Sequence, residues 1–218
     1  MSEKDKQGKR SGRKARRQAE TRKRLLDAAR KIFATTALTS ATIAQITERA
    51  DLGFGTFYLH FSSKEDIYLA VLKKGFSELG EELDVFLDKA KESEYAWDEI
   101  IESAIAKFFH FAGENSDLFQ VGFAGFDAGM RVGVSLRERY ADWFAELLRE
   151  IHPLDIPDCE LELLSTAIVA MVNRSAVWWM QQNEESEKDF LSLEEVSAIV
   201  SRFAIAGLAD FDSISKEN

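Results

Sequence analysis

Hydrophobic residues recur along most of this chain at intervals of three and four, the spacing of one face of an α-helix. The pattern is clearest over residues 96–113, where apolar positions repeat at i, i+1, i+4 and i+5. Only Pro153 and Pro157 interrupt the chain, and the long segments without proline are rich in Ala, Leu, Glu and Lys. The pattern therefore predicts an all-α protein of about nine helices.

Four of these helices are predicted in the N-terminal third, behind a basic leader. Residues 1–19 lack apolar periodicity, so we expect a disordered arm. Helices are then predicted over about 20–36, 41–50, 54–61 and 62–88. Ser40 is positioned to cap the second, and Ser62 with Glu65 has capping-box spacing at the start of the fourth. Together they define an N-terminal domain over 20–74.

Five further helices are predicted after the polar linker KESEY at 91–95. Their expected ranges are 96–113, 117–126, 130–151, 158–183 and 193–211. We assign residues 75–212 to a C-terminal helical bundle and residues 213–218 to a tail.

The stretch DLGFGTFYLHF at 51–61 admits three interpretations. A GxGxxG phosphate loop needs a preceding strand and a small sixth residue, whereas here a helix precedes and Tyr58 is sixth. A strand would have no hairpin partner, because a capped helix begins at Ser62. Two short helices and a tight turn remain, with Phe57 and Phe61 pointing inward. The stretch therefore predicts a helix-turn-helix, whose second helix enters the DNA major groove.

The net charge of −10 is unevenly distributed. Residues 1–74 hold 17 Lys and Arg against 8 Asp and Glu, while residues 75–218 hold 11 against 30. Residues 4–24 alone carry 11 basic and 2 acidic side chains. A basic leader on an acidic body indicates a polyanionic partner at one end of the molecule only.

Residues 21–72 resemble the N-terminal domain of the TetR family of transcriptional regulators. The resemblance rests on LLDAA, on TIAQITERA at 42–50, on GTFYLHF at 55–61 and on SKE at 63–65. Beyond residue 75 only the architecture is similar. The resemblance implies a homodimer whose two helix-turn-helix units read a palindromic operator, and a small molecule in the C-terminal ligand-binding and dimerisation domain that releases the DNA.

The resemblance also implies roles for residues on the DNA side. Gly55 would let the recognition helix lie close to the duplex, and Thr56 and Tyr58 would offer hydroxyls to phosphates or base edges. Thr42 matches the position that grips the DNA backbone, where helix amides also favour phosphate. Lys64 matches a lysine that contacts phosphate.

This chain departs from the family pattern at Gly53 and Phe54, where many relatives carry a hydroxyl residue and a lysine. Phe54 either contacts thymine methyl groups or packs on the turn. His60 either donates to a phosphate or packs beside the fourth helix. An operator inferred from relatives therefore does not transfer directly.

The basic leader adds five candidate DNA contacts. These are Arg10, Arg13, Lys14, Arg16 and Arg17. A flexible cationic segment beside a helix-turn-helix can enter the adjacent minor groove or follow the phosphates; a solvated charge run is the alternative. We expect DNA contact, because neutralising phosphates releases counterions.

Phenylalanines concentrated in residues 108–126 are candidates for lining an effector cavity. They are Phe108, Phe109, Phe111, Phe119, Phe123 and Phe126. Some must fill the core of a helical bundle, but the small residues within FAGF leave room for a lipophilic molecule.

A second set of candidate ligand contacts lies in MVNRSAVWWMQ at 171–181. It comprises Asn173, Arg174, Val177 and Trp178. A buried Arg174 needs an anionic partner, which a ligand head group could provide. The alternative, which we favour, is that Arg174 pairs with a nearby acidic residue of the protein or is exposed to solvent. Family members with aromatic-rich pockets bind acyl-CoA thioesters, so we expect a fatty acyl-CoA or fatty acid. A planar drug, as for repressors of efflux genes, is the alternative.

The last two helices are expected to build the dimer. The candidate interface residues are Trp179, Val196, Ile199, Val200, Phe203 and Gly207. An apolar helix at the end of the chain needs a partner, which a two-fold four-helix bundle provides.

No motif indicates an enzyme, a metal site or a cofactor. GxSxG, HExxH, Walker and CxxC sequences are absent, and His60, His110 and His152 lack metal-ligand spacing. The single Cys159, the lack of an apolar leader and the short longest apolar run, 167–172, favour a cytoplasmic protein outside the membrane. We expect a repressor; a sequence-neutral architectural DNA binder is the alternative, against which the acidic, Phe-rich C-terminal half argues.

Deleting residues 1–18 is expected to weaken operator binding and to flatten its dependence on salt, because the leader carries cations that would neutralise phosphates. The measurement is the dissociation constant at several salt concentrations. Unchanged affinity across that series would refute a role for the leader.

Overall fold

Nine α-helices make up the regular structure in residues 3–124, 128–185 and 190–217, the parts of the chain that a computed structural model describes. Side chains are described for residues 12–119, 121, 138–182 and 190–211. The helices are α1 (Glu3–Thr35), α2 (Ile43–Arg49), α3 (Phe54–Phe57), α4 (Lys64–Lys91), α5 (Trp97–Glu114), α6 (Ser116–Ala124), α7 (Ala128–Ile151), α8 (Asp158–Glu185) and α9 (Leu193–Glu217). No strand occurs in these ranges, and the predicted all-α class is confirmed.

Helix α1 begins at Glu3, which corrects the prediction of a disordered arm over 1–19. The segment contains no proline and is rich in Lys, Arg, Gln and Ala, all of which favour helix. Gly8 and Gly12 cost only about 1 kcal/mol each relative to alanine. The missing apolar periodicity therefore reflects a helix without a buried face rather than the absence of a helix.

The first compact unit comprises Met1–Lys74 and Gln120–Met130. Its core is formed by apolar side chains from α1 to α4: Leu25, Ala29, Phe33, Ile46, Phe57, Phe61, Ile67 and Leu72. Tyr68 packs edge-on against Phe33 with ring centroids 5.3 Å apart, and its hydroxyl donates to the carbonyl of Val121 at 2.7 Å. Burial raises the pKa of Tyr68, so the phenol stays a donor. This contact joins α4 to α6, which the sequence assigns wholly to the C-terminal bundle.

Helix α2 is capped by Thr42 rather than by the predicted Ser40. The Thr42 hydroxyl accepts from the peptide N–H of Gln45 at 3.2 Å, and the Gln45 side chain accepts from the N–H of Thr42 at 2.8 Å. This capping box provides acceptors for the N–H groups of Thr42 and Gln45, which a cap at Ser40 alone would not provide.

The cap of α4 is likewise displaced by one residue from the predicted Ser62–Glu65 pair. The Ser63 hydroxyl accepts from the N–H of Asp66 at 3.1 Å, and the Asp66 carboxylate accepts from the N–H of Ser62 at 2.9 Å. Two serines followed by two acidic residues allow a capping box at either of two positions one residue apart, and the packing of α4 selects the second.

A side chain from α1 holds the turn between α2 and α3. The Arg24 guanidinium donates to the carbonyl oxygens of Ala50 at 2.6 Å and Asp51 at 3.0 Å. Asp51 adopts a φ of 52°, in the left-handed region that aspartate tolerates better than most residues. Arg24 therefore satisfies carbonyls at the end of α2 and fixes the direction in which the chain leaves it.

The second compact unit comprises Gly75–Phe119 and Arg131–Asn218, in which α5 packs against α8 and α9. The periodic face predicted for α5 is buried, which confirms it; its residues are Ile100, Ile101, Ala104, Ile105, Phe108, Phe109 and Ala112. Gly75 of α4 lies so close to α6 that a Cβ there would collide with the buried side chain of Leu118.

Helix α8 is long and apolar enough over Asp158–Gln182 to meet the length and composition of a membrane span. The same segment packs against α5 and α9, with Ile168, Val172 and Val177 buried. A core helix of a bundle has the same properties.

Asp51→Val is expected to lower the stability of the first unit by about 1–2 kcal/mol, because a β-branched side chain is strained in the left-handed region. Asp51→Gly is the matched control, since it removes the same carboxylate and its 3.3 Å contact with Arg24 without that strain. Thermal unfolding followed by circular dichroism should give the valine variant the lower midpoint. Equal midpoints would contradict the described turn.

Candidate nucleic-acid interface and ligand cavity

Helix α3 is one turn long and is held by aromatic side chains on its inner face. Phe57 is fully buried, Phe61 nearly so, and their rings lie 5.8 Å apart. The predicted core role of both residues is confirmed. Arg22 of α1 covers the ring of Phe61 at 4.9 Å, so a cation closes this small core from the side.

Helix α3 and the turn that follows it present large apolar side chains to solvent. Phe54 is 55% exposed, Tyr58 53% and Leu59 80%. Phe54 and Tyr58 form an edge-to-face pair with centroids 5.7 Å apart. An exposed apolar cluster of this kind on a short helix marks a binding surface.

Leu59 was not predicted as a contact from the sequence. Its signal is a large apolar residue between Tyr58 and His60, directly after the short helix. Its high exposure makes it a candidate contact for sugar or thymine methyl groups.

The fold itself does not require the two glycines of α3. Gly53 has an ordinary φ of −67°, and a Cβ there would meet only the Thr56 hydroxyl at 3.9 Å. A Cβ on Gly55 would meet nothing within 4 Å. Both positions have room for a side chain, so glycine leaves space beside α3 for another molecule.

Lys64 has an internal role in addition to the phosphate contact expected of it. The Nζ atom donates to the carbonyl oxygens of Ala41 at 2.7 Å and Thr39 at 3.3 Å. Two of its three donors therefore hold the loop between α1 and α2. Thr42 is exposed, and its hydroxyl is engaged in the capping box described above.

The helical leader and α3 border a common groove of about 430 Å³. The groove is lined by Arg13, Lys14, Arg17, Gln18, Thr21, Thr56, Leu59 and His60. Arg16 is exposed outside this lining, and the side chain of Arg10 lies outside the described residues. Half-buried His60 faces the leader's cations rather than α4 alone.

The phenylalanines proposed for an effector cavity mainly pack against one another. Phe109, Phe111 and Phe119 are buried, and Phe119 contacts the rings of Phe108 at 5.8 Å and Phe76 at 5.4 Å. These three side chains fill the core of the second unit, and none of them belongs to the described lining of the cavity below, so their role as ligand contacts stays a prediction. The side chain of Phe123 and the whole of Phe126 lie outside the described residues.

An apolar cavity of about 40 Å³ lies between α4, α5, α7 and α8. It is lined by Leu83, Ala104, Ile105, Phe108, Tyr140, Trp143, Phe144, Ile168, Val169 and Val172. Of the predicted ligand residues whose side chains the structure describes, only Phe108 belongs to this lining. The α7 residues of the lining were not predicted from the sequence. They could have been found from the aromatic residues Tyr140, Trp143 and Phe144, which recur at helical spacing.

Two polar groups border this cavity. The hydroxyl of Tyr140 donates to the carbonyl of Phe76 at 2.8 Å, and burial raises its pKa. The indole N–H of Trp143 is buried without a hydrogen-bond partner among the described residues. An apolar cavity with few polar groups at its edge is typical of small-molecule sites.

The second predicted ligand set lies mostly outside the cavity. Arg174 is exposed, Asn173 is half-buried, and Trp178 is 40% exposed with its ring 5.3 Å from Phe190. Val177 is buried but does not line the cavity. The exposure of Arg174 agrees with the favoured alternative of a solvent-exposed arginine rather than with a buried ligand contact.

The predicted dimer residues of α9 lie on two different faces of that helix. Val196 and Val200 are buried within their own unit, which corrects their assignment to an interface. Ile199 and Phe203 are exposed, Phe203 by 73%, and Gly207 is exposed with open space around it.

Helix α8 also exposes apolar side chains. They are Leu163 and Trp178. Trp179 is half-buried, and its indole donates to the carbonyl of Leu191 at 2.9 Å, so this side chain holds the segment before α9 against α8.

Within the described residues, no group of three or more His, Cys, Asp and Glu is placed to hold a metal ion.

Comparison with known proteins identifies relatives of this arrangement. Residues 25–71 match the sequence model of the family described as bacterial regulatory proteins, tetR family. The uncharacterized HTH-type transcriptional regulator YdgC of Bacillus subtilis (strain 168) is 30% identical over 105 residues, which are 48% of this chain and 53% of that protein. The aligned region thus spans about half the length of this curated relative.

Two solved structures of similar fold are fatty-acid regulators by name. The fatty acid degradation regulator FadR from Bacillus halodurans superposes with a TM-score of 0.66 at 18% identity, covering 86% of this chain and 96% of that one. The transcriptional regulator FadR from Bacillus subtilis, in complex with stearoyl-CoA, superposes with a TM-score of 0.67 at 17% identity, covering 84% and 97%. At these identities the similarity shows the shared fold.

Proposed function

We propose that this chain, whose N-terminal domain belongs to the TetR family of bacterial regulatory proteins, is a transcriptional repressor that binds a palindromic operator as a homodimer and releases it when a lipophilic effector enters the C-terminal unit. The observation that carries the proposal is the outer face of α3, where Phe54, Tyr58 and Leu59 are exposed on a helix fixed from within by Phe57 and Phe61.

The DNA side of the proposal is supported by shape and charge together. Gly53 and Gly55 leave the backbone of α3 open to close approach, and Thr56 and Tyr58 carry hydroxyls beside it. Residues 1–74 carry an excess of cations, whereas the rest of the chain is acidic. A duplex is therefore attracted to this face and repelled by the rest of the molecule.

The effector side is supported by the composition of the cavity between α4, α5, α7 and α8. No charged side chain belongs to its described lining, so a lipophilic group fits it better than a polar one. An acyl chain needs far more than 40 Å³, so binding must move the helices apart. We propose a fatty acyl-CoA or fatty acid, which accords with the stearoyl-CoA complex of one structural neighbour. A planar drug that regulates efflux genes is the second candidate.

Selection of duplexes from a randomised library, followed by effector titration, tests this function. We expect one palindromic sequence to be enriched, and stearoyl-CoA to lower operator affinity by about tenfold or more, which lies within the usual range of allosteric coupling. Stearate and a cationic dye serve as competing effectors in calorimetry. Enrichment of no sequence would leave only an architectural DNA binder.

Ala104→Phe is expected to abolish effector binding while operator binding persists, because the new ring fills the cavity that Ala104 lines. Ala106→Phe is the matched control, since Ala106 is exposed on the same helix. Calorimetry with stearoyl-CoA measures both variants. Equal effector affinity for the two would rule out this cavity as the effector site.

The homodimer is supported by the exposed apolar surface of α8 and α9, formed by Leu163, Trp178, Ile199 and Phe203. Gly207, one turn beyond Phe203, permits close approach of a partner helix. Apolar side chains in this number on adjacent helices are expected to be covered by a second copy in a two-fold bundle.

Phe203→Asp is expected to shift the protein from dimer to monomer, because the interface would then bury an unpaired charge. Val85→Asp is the control, because Val85 is an exposed apolar residue of α4 outside this surface. Sedimentation velocity at several protein concentrations distinguishes the two. A Phe203→Asp variant that remains fully dimeric would exclude this surface.

A further inference from the structure

We infer that the groove between the helical leader and α3 holds a phosphate of one DNA strand, so that α1 acts as a preformed backbone clamp beside the recognition helix. The inference rests on the proposed function and states which part of the duplex this groove takes. It depends on the leader being helical, because the helix decides which of the leader's cations face α3.

The helix sorts the leader's basic residues by face. Arg13, Lys14 and Arg17 follow one another at i, i+1 and i+4 and line the groove together with Thr21 at i+8. Arg16 is directly beside Arg17 in sequence but is turned about 100° away and does not line the groove. A disordered leader would give all these cations the same role.

The chemistry of the lining matches a phosphodiester. Three cations and the donors of Gln18, Thr21, Thr56 and His60 border the groove, and no carboxylate belongs to the part of its lining that the structure describes. Charge-assisted hydrogen bonds from arginine are the strongest of those that phosphate oxygens accept. The apolar side chain of Leu59, on the same wall, offers a surface for the adjoining sugar.

The cations of the groove are not used by the fold. Within the described residues, Arg13, Lys14 and Arg17 make no ion pair or hydrogen bond, whereas Arg22 and Arg24 further along α1 are engaged with Phe61 and with the turn after α2. Helix α1 therefore carries cations that stabilise the fold where it packs on the core, and cations without a partner in the described residues nearer its N-terminus. Three adjacent unneutralised cations repel one another, and a bound polyanion relieves that repulsion.

A preformed clamp also lowers the cost of binding. The leader's cations are already on one helix face, so less conformational entropy is lost than when a coil folds onto DNA. Because the groove adjoins Thr56 and His60, the phosphate it holds should flank the base pairs that α3 contacts.

Arg17→Ala and Arg16→Ala, made in the full chain, test this assignment with equal changes in charge on different helix faces. The duplex is the operator enriched from the randomised library, and affinity is measured across a series of salt concentrations. We expect Arg17→Ala to weaken binding about tenfold at moderate salt and to reduce the salt slope by about one. Arg16→Ala removes the same charge outside the groove, so it should lose clearly less affinity than Arg17→Ala, and circular dichroism should report the same helix content for both variants.

Ethylation interference locates the phosphate directly. In the unchanged protein and in Arg16→Ala, ethylating one phosphate at the flank of each half-site should block binding, and in Arg17→Ala this effect should vanish. Equal affinities and equal interference patterns for the two variants would overturn the clamp while leaving the regulator function intact. Absence of any sequence-specific binding by the unchanged protein would overturn both.

Discussion

Burial of Phe57 and Phe61 is the interaction on which the proposed DNA-binding surface depends. Helix α3 has four residues, and a helix of one turn has no stability of its own, because nucleation costs more than one turn of hydrogen bonds returns. The two inner rings fasten it to the core of the first unit, and Arg24 fixes the turn that precedes it. Without that anchoring, the exposed apolar side chains of Phe54, Tyr58 and Leu59 would not keep a fixed position in water.

Basic residues in the first unit serve two separate purposes. Arg24 and Lys64 donate to backbone carbonyls at the two ends of α2, and Arg22 covers Phe61. These cations stabilise the helix-turn-helix, and they are close in sequence to others that the fold does not use. Counting charge along the chain cannot separate the two groups, because the separation depends on which helix face each residue occupies.

The sequence predicted the order of the helices, the inner face of α5 and the inward Phe57 and Phe61, since each follows from local periodicity. Features that depend on packing were predicted less well. Ser40 and Thr42 are both good caps, and only the partner side chain of Gln45 decides between them. Phe109 and Phe119 read equally well as core or cavity. Val200 and Phe203 are three residues apart on α9, yet one is buried and the other exposed, because neighbouring helices cover only part of its circumference.

The hydrogen bond from Tyr68 to Val121 has a consequence for how α6 is tied to the first unit. The phenol of α4 donates to a backbone carbonyl of α6 at 2.7 Å, between two buried residues that are 53 positions apart in the sequence. Because the acceptor is a backbone atom, the bond does not depend on which side chain occupies position 121. Replacing the phenol by a phenyl ring would therefore leave a buried carbonyl without this donor, a dependence that the sequence of α6 by itself does not reveal.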